Sequence, residues 1–166
     1  MMVDDNVKDQ LITDVQDALY DTHQKFESNQ MVVALNFEVI ILLGYVYPEW
    51  KSKVGKNFVP LILDAISRNL VDEKSSLQSV ELLKNICGLD GKDDVKEDIV
   101  NLAAKKDAVR ILTKAISDKN YSDEYIKNCK PILKEIGKKE ENLKDCYADI
   151  DKLLKNMDDF IKASPE

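Results

Sequence analysis

Lys56-Asn-Phe-Val-Pro-Leu-Ile-Leu-Asp-Ala-Ile-Ser67 returns fifty residues later as Lys106-Asp-Ala-Val-Arg-Ile-Leu-Thr-Lys-Ala-Ile-Ser117. Lys, Val, Ala, Ile and Ser recur at matching places, and most other positions keep their apolar or polar character. At the same offset, Leu82-Leu-Lys-Asn-Ile86 matches Ile132-Leu-Lys-Glu-Ile136. Apolar residues in each segment recur every three or four positions, the period of one face of a helix. Two helices therefore recur together, as in proteins built from stacked helical units. A weaker echo, Asp17-Ala18-Leu19 against Asp64-Ala65-Ile66, extends the pattern toward the N-terminus.

Outward from the repeat, the rest of the chain also reads as helix. Val7, Leu11, Ile12, Val15, Leu19 and Phe26 line one face of a helix over about 5–27, with Asp4 and Asp5 at its positive N-terminal end. A second helix, over about 30–47, is apolar nearly all round. Such a helix needs cover on several sides and belongs in the middle of the fold. Pro48 ends it. A short helical segment over 49–54 precedes a separate helix that Asn57 opens, with Pro60 in its first turn, where the missing N–H costs nothing. Further helices are expected over about 73–87, stopped by Gly88, and from Asp93/Asp94 to Ala103. Two more run from Asp107 to Ser117, and from the Ser122 cap to Ile136, closed by Gly137. Pro131 falls inside the last of these and should kink or break it. A final helix over about 141–162 carries a wide stripe of Leu143, Tyr147, Ile150, Leu154, Met157 and Ile161.

A short helix followed by two longer ones, repeating every 40–50 residues, resembles the armadillo repeat of the armadillo/HEAT superfamily. The resemblance is carried by Val54-Gly55-Lys56-Asn57-Phe58-Val59-Pro60-Leu61-Ile62, similar to the family's turn into its second helix, and by Leu82-Leu83-Lys84-Asn85-Ile86, similar to the end of its third. It covers about residues 11–137 and departs from the family in the second copy, where Lys105, Arg110 and Glu135 replace Gly55, Pro60 and Asn85. The resemblance implies one all-α domain over 1–166, a right-handed armadillo-like solenoid of about two and a half to three repeats. Residues 5–48 would form a partial first repeat, 49–88 the second, 92–137 the third, and 141–163 a C-terminal capping helix. Each unit alone cannot bury its apolar face, and stacking joins the faces into one core.

The resemblance also implies a partner-binding surface on the third helix of each repeat. In the family an Asn near the end of that helix bonds the backbone of an extended peptide. Here only Asn85 matches; Leu42 or Gly44 and Glu135 occupy the equivalent places. The expected contact residues are Gln78, Glu81 and Asn85, with Lys127, Asn128 and Lys134 in the next copy, facing a protein or peptide partner.

Composition narrows the function classes. The chain has 166 residues and a net charge of −7, all of it in residues 1–50, which hold nine acids and two lysines. An acidic chain lacks the electrostatic footprint for wrapping nucleic acid; a basic partner near the N-terminal third is compatible with it. Three cysteines, Cys87, Cys129 and Cys146, form no CxxC or Cys/His cluster, which speaks against a disulfide framework or a zinc site. The reducing cytoplasm fits best, with the nucleus as the other compatible compartment. No signal peptide is visible at 1–10. The apolar stretch from Met31 to Tyr47 contains Asn36 and Glu38 and is short for a membrane span. The single histidine, His23, has no evident partner for acid–base work, and no nucleotide, zinc or calcium motif occurs. The acids of 88–94 lack calcium-loop spacing. Trp50, with Tyr45 and Tyr47, packs in the core or anchors a partner. No catalytic residue, cofactor or metal is expected, and the leading expectation is a non-enzymatic interaction scaffold. The alternatives are a compact bundle holding a small apolar ligand in the second helix's surroundings, or one piece of a larger helical-repeat assembly.

Overall fold

A computed structural model describes residues 5–68, 73–91, 94–119 and 122–139. The expected helix over 141–162, and Cys146 within it, lie outside the described residues. The described part is helical throughout, with seven helices and no strand: α1 (Asp5–Lys25), α2 (Gln30–Val46), α3 (Pro48–Ser67), α4 (Glu73–Ile86), α5 (Glu97–Lys105), α6 (Ala108–Lys119) and α7 (Asp123–Ile136).

Local chemistry sets most of the ends. The Asn29 side chain accepts from the Val32 N–H and starts α2, and Pro48 occupies the first turn of α3, where a missing N–H is harmless. Ser122 caps α7 by accepting from the Tyr125 N–H at 3.4 Å. The end of α4 is a Schellman motif. Gly88, at φ +71°, donates to the Asn85 carbonyl, and Leu89 donates to the Lys84 carbonyl, both at 3.0 Å. Between α5 and α6 the chain turns at Asp107, which takes φ +66°, a conformation Asp tolerates better than most residues.

Three boundaries differ from the sequence expectation. First, α3 is one unbroken helix, so Pro60 sits in its interior and not in a first turn. The ring removes the bond to the Lys56 carbonyl, but Lys56 is exposed and water can take that place. Gly55, read as part of a turn, is a buried contact point. A Cβ there would stand 2.5 Å from Ile99 Cδ1 and 2.7 Å from Ile86 Cγ2, so only a hydrogen lets α3 lie this close to α4 and α5. Second, α5 starts at Glu97 because residues 94–96 remain extended over the end of α4, where the Lys96 N–H bonds the Cys87 carbonyl at 2.9 Å. Third, α7 is not broken at Pro131 but continues as helix to Ile136.

The core is one continuous apolar cluster. Phe58, Val59, Ile62, Leu63 and Ile66 place α3 at its centre. α3 packs against α4, α5 and α6; α4 packs between α2 and α7. Helices that are equivalent in the sequence repeat therefore lie side by side, α3 on α6 and α4 on α7. α1 contributes least, with Ile12 and His23 as its buried residues among those described.

Candidate functional site

The expected contact residues fall on α4 and α7, and the structure treats them unequally. Lys127 and Lys134, two turns apart on α7, are exposed. Glu81 and Gln78 on α4 are half-buried. The Gln78 carbonyl oxygen is buried without a hydrogen-bond partner among the described residues, which costs more than a made bond returns. Asn85 is only 3% exposed, and its amide donates to Asp90 Oδ2 at 3.0 Å, bracing the loop that follows α4. Asn128 is also buried. It accepts from the Lys84 ammonium on α4 and donates to the Glu124 carbonyl at 3.1 Å. Both amides are thus used inside the chain, and the Lys84–Asn128 bond adds a polar contact between the apolar faces of α4 and α7. The exposed chemistry of this face is carboxylate and ammonium, from Glu124, Lys127 and Lys134, with the half-buried Glu81 beside them.

The sequence reading missed Lys84, whose partner Asn128 lies in the other copy. It also placed α2 in the middle of the fold with cover on several sides. The structure does put α1, α3 and α4 against α2, but it leaves one apolar side open. Val33, Phe37, Ile40 and Ile41 are buried, but the other side of α2 faces solvent. Met31 (74% exposed), Leu35, Val39, Leu42 (58%) and Val46 (66%) form an open apolar line. Nearly full hydrophobicity around a helix signals burial on average; it does not say which side goes without a neighbour. A helix with α1, α3 and α4 against it still has a face to spare.

Trp50 is buried and packs near Phe58, with ring centres 6.3 Å apart, so it belongs to the core. Together with Lys8, Leu11, Ile12, Val15, Leu43 and Tyr47 it lines a cleft of ≈ 50 Å³ where α1 meets α2 and α3. Pockets that hold small ligands are usually about 300 Å³ or more.

The two described cysteines and the histidine are all buried. Burial pushes the Cys87 thiol up to about 12 and raises that of Cys129 as well, against a hydrogen bond with Tyr125. Neither is a thiolate at neutral pH. His23 is buried, stacked on Phe37 with ring centres 5.5 Å apart, and its Nδ1 has no hydrogen-bond partner among the described residues. Burial lowers its pKa, outweighing the attraction of Asp64 and Glu27. No group of three or more His, Cys, Asp or Glu among the described residues is arranged to hold a metal ion, and no described helix is long and apolar enough to cross a membrane.

The histidine makes a pH prediction. Its folded pKa lies below the unfolded value of about 6.5. The unfolded chain therefore takes up a proton first, and stability is lost as pH falls below about 6.5 until the folded pKa is passed. Because the sequence holds one histidine, urea midpoints measured between about pH 7.5 and 5.5 should fall with pH. In His23→Leu they should stay flat. An equal slope in the variant would show that His23 is not the group responsible.

Comparison with protein-family models, with curated proteins and with solved structures finds no match.

Proposed function

We propose that this chain is a non-catalytic scaffold that binds a protein or peptide partner across the joined faces of α2, α4 and α7, on an armadillo-like, right-handed solenoid of about two and a half to three repeats. One observation carries the reading. Helices that repeat in the sequence pack on their counterparts, α3 on α6 and α4 on α7, with α2 next in the second row. The two copies also bury the same positions: Val59 and Val109, Ile62 and Leu112, Ala65 and Ala115, Leu82 and Ile132, Leu83 and Leu133, Ile86 and Ile136. Side-by-side stacking of like helices is how repeat units produce a long shared surface.

The peptide-backbone role that the resemblance implies for Asn85 has less support than a side-chain role for its neighbours, since its amide is engaged by Asp90. Partner contact is therefore assigned chiefly to Gln78, Glu81, Lys127 and Lys134. The buried, free thiols of Cys87 and Cys129 suit a reducing compartment, cytoplasm or nucleus. A ligand-binding bundle draws little support from a cleft of ≈ 50 Å³.

The test exchanges charge on the proposed face. Glu81→Lys with Lys127→Glu alters side chains that are at least partly exposed and should leave the helical circular dichroism unchanged. Affinity purification from the native cell should then recover its specific partner at least about tenfold less well than with the unaltered chain. Equal recovery with an intact fold would contradict the assignment.

A further inference from the structure

The apolar line of α2 is concentrated in a way that the repeat does not require. Eight of the nine large hydrophobic residues exposed among the described ones lie between Val7 and Val46; Val95 is the other. On α2 they are Met31, Leu35, Val39, Leu42 and Val46, at spacings of four, four, three and four. These spacings keep them on one side of the helix, over a length of roughly 23 Å. Scattered exposed apolar residues are ordinary, but a continuous line of them marks a place where something docks.

The charges around the line say what kind of partner it takes. Glu38 is the one charged residue of α2, and it is exposed between Leu35 and Leu42. α1 runs antiparallel beside α2: Leu11 shares a cleft with Leu43, while the Asn36 amide donates to the Leu19 carbonyl. Along α1 the exposed Val7 and Leu11 are continued at helical spacing by the exposed Asp14 and Asp21. Asp17, Asp21 and Glu38 have no ion-pair partner among the described residues. Of the two lysines in residues 1–50, Lys8 lines the cleft and Lys25 lies over the Phe26 ring.

Two other occupants fit these charges poorly. The line is centred between Glu38 and Val39, so two copies paired about a two-fold axis would set Glu38 against its own counterpart. The chain's own segment 141–162 has a suitable apolar stripe but holds six acids against four lysines. We infer that the α2 face docks an amphipathic helix of another protein whose apolar stripe is flanked by Lys or Arg. The stripe lies along Met31–Val46 and the basic flanks meet Glu38, Asp14 and Asp21. This rests on the scaffold reading and names the chemical class of its partner.

A synthetic Leu-periodic peptide helix of about 16 residues, with lysine flanks, tests it by fluorescence anisotropy against the full chain. Two controls carry the same leucines with glutamate flanks, or the same composition scrambled. The lysine peptide should bind, more weakly as salt rises, and at least about tenfold better than either control. Glu38→Lys should weaken it by roughly three- to tenfold, and Leu42→Asp by about tenfold or more. Both residues are exposed, and melting curves check that both variants fold.

No binding by the lysine peptide, or equal binding by the glutamate peptide, overturns the inference. So does a dimer in sedimentation that Leu42→Asp converts to monomer, which would make a second copy the occupant. So does binding that emerges only when Ile150→Asp and Leu154→Asp are introduced together, which would make the chain's own segment the occupant. If the peptide fails while the Glu81/Lys127 exchange still loses its partner, the docking helix is refuted and the scaffold reading stands.

Discussion

Phe58→Ala should cost about 3–5 kcal/mol of unfolding free energy, seen as a lower denaturation midpoint at unchanged slope. Phe58 is fully buried in the middle of α3. Its ring meets Tyr20 of α1 edge-on at 6.2 Å and lies 6.3 Å from the Trp50 ring. Truncation leaves a void between helices that are fixed by their other contacts, so the site can close only in part. In the second copy the same position is Ala108, also fully buried, so the repeat itself is compatible with a small residue there. At Phe58 the larger side chain reaches the Tyr20 and Trp50 rings. Trp50 is the single tryptophan of the chain, and its fluorescence should shift to the red as the packing around it loosens. A loss below about 1 kcal/mol would mean that Phe58 is not the link between α1 and α3.

Gly88→Ala should cost roughly 2–4 kcal/mol, a large penalty for one methyl group. Two effects add. The φ of +71° is disfavoured for any residue with a Cβ, and that Cβ would overlap the backbone carbonyl oxygen of Asp94. Backbone cannot rotate away as a side chain can, so the strand of chain over 94–96 must lift. It would then lose the Lys96 bond to the Cys87 carbonyl, which ties the start of α5 to the end of α4. Gly88→Asn separates the effects. Asn accepts positive φ more readily, so it should restore stability if φ were the whole cost. The overlap predicts that Asn stays close to Ala. Urea denaturation of both variants decides it.

Much of the helical layout was legible because its signals are local. Pro48, Gly88, Ser122 and Gly137 mark helix ends that depend on neighbouring backbone geometry. The repeat marked which segments share a role, since Val59 and Val109 or Ile86 and Ile136 must meet similar surroundings. What could not be read depends on partners distant in sequence. Gly55 looks like a turn residue until Ile86 and Ile99 are seen against it. Asn85 looks like a free amide on a binding face until Asp90 is found within reach. Lys84 and Asn128 join different copies. The open side of α2 has the same hydrophobic pattern as a covered side, so only the arrangement of α1, α3 and α4 distinguishes them. Lys127, Lys134 and Glu81 came from the resemblance, which implies a contact surface on the third helix of each repeat; the structure leaves the two lysines exposed and Glu81 half-buried.

The central claim is that α2, α4 and α7 together present the surface on which a partner binds. Hydrogen exchange of the full chain, with and without the protein recovered from the native cell, tests it most directly. Protection should increase along α2, α4 and α7 and leave α3, α5 and α6 unchanged. Protection confined to α3, α5 and α6, or no protein recovered at all, would contradict it.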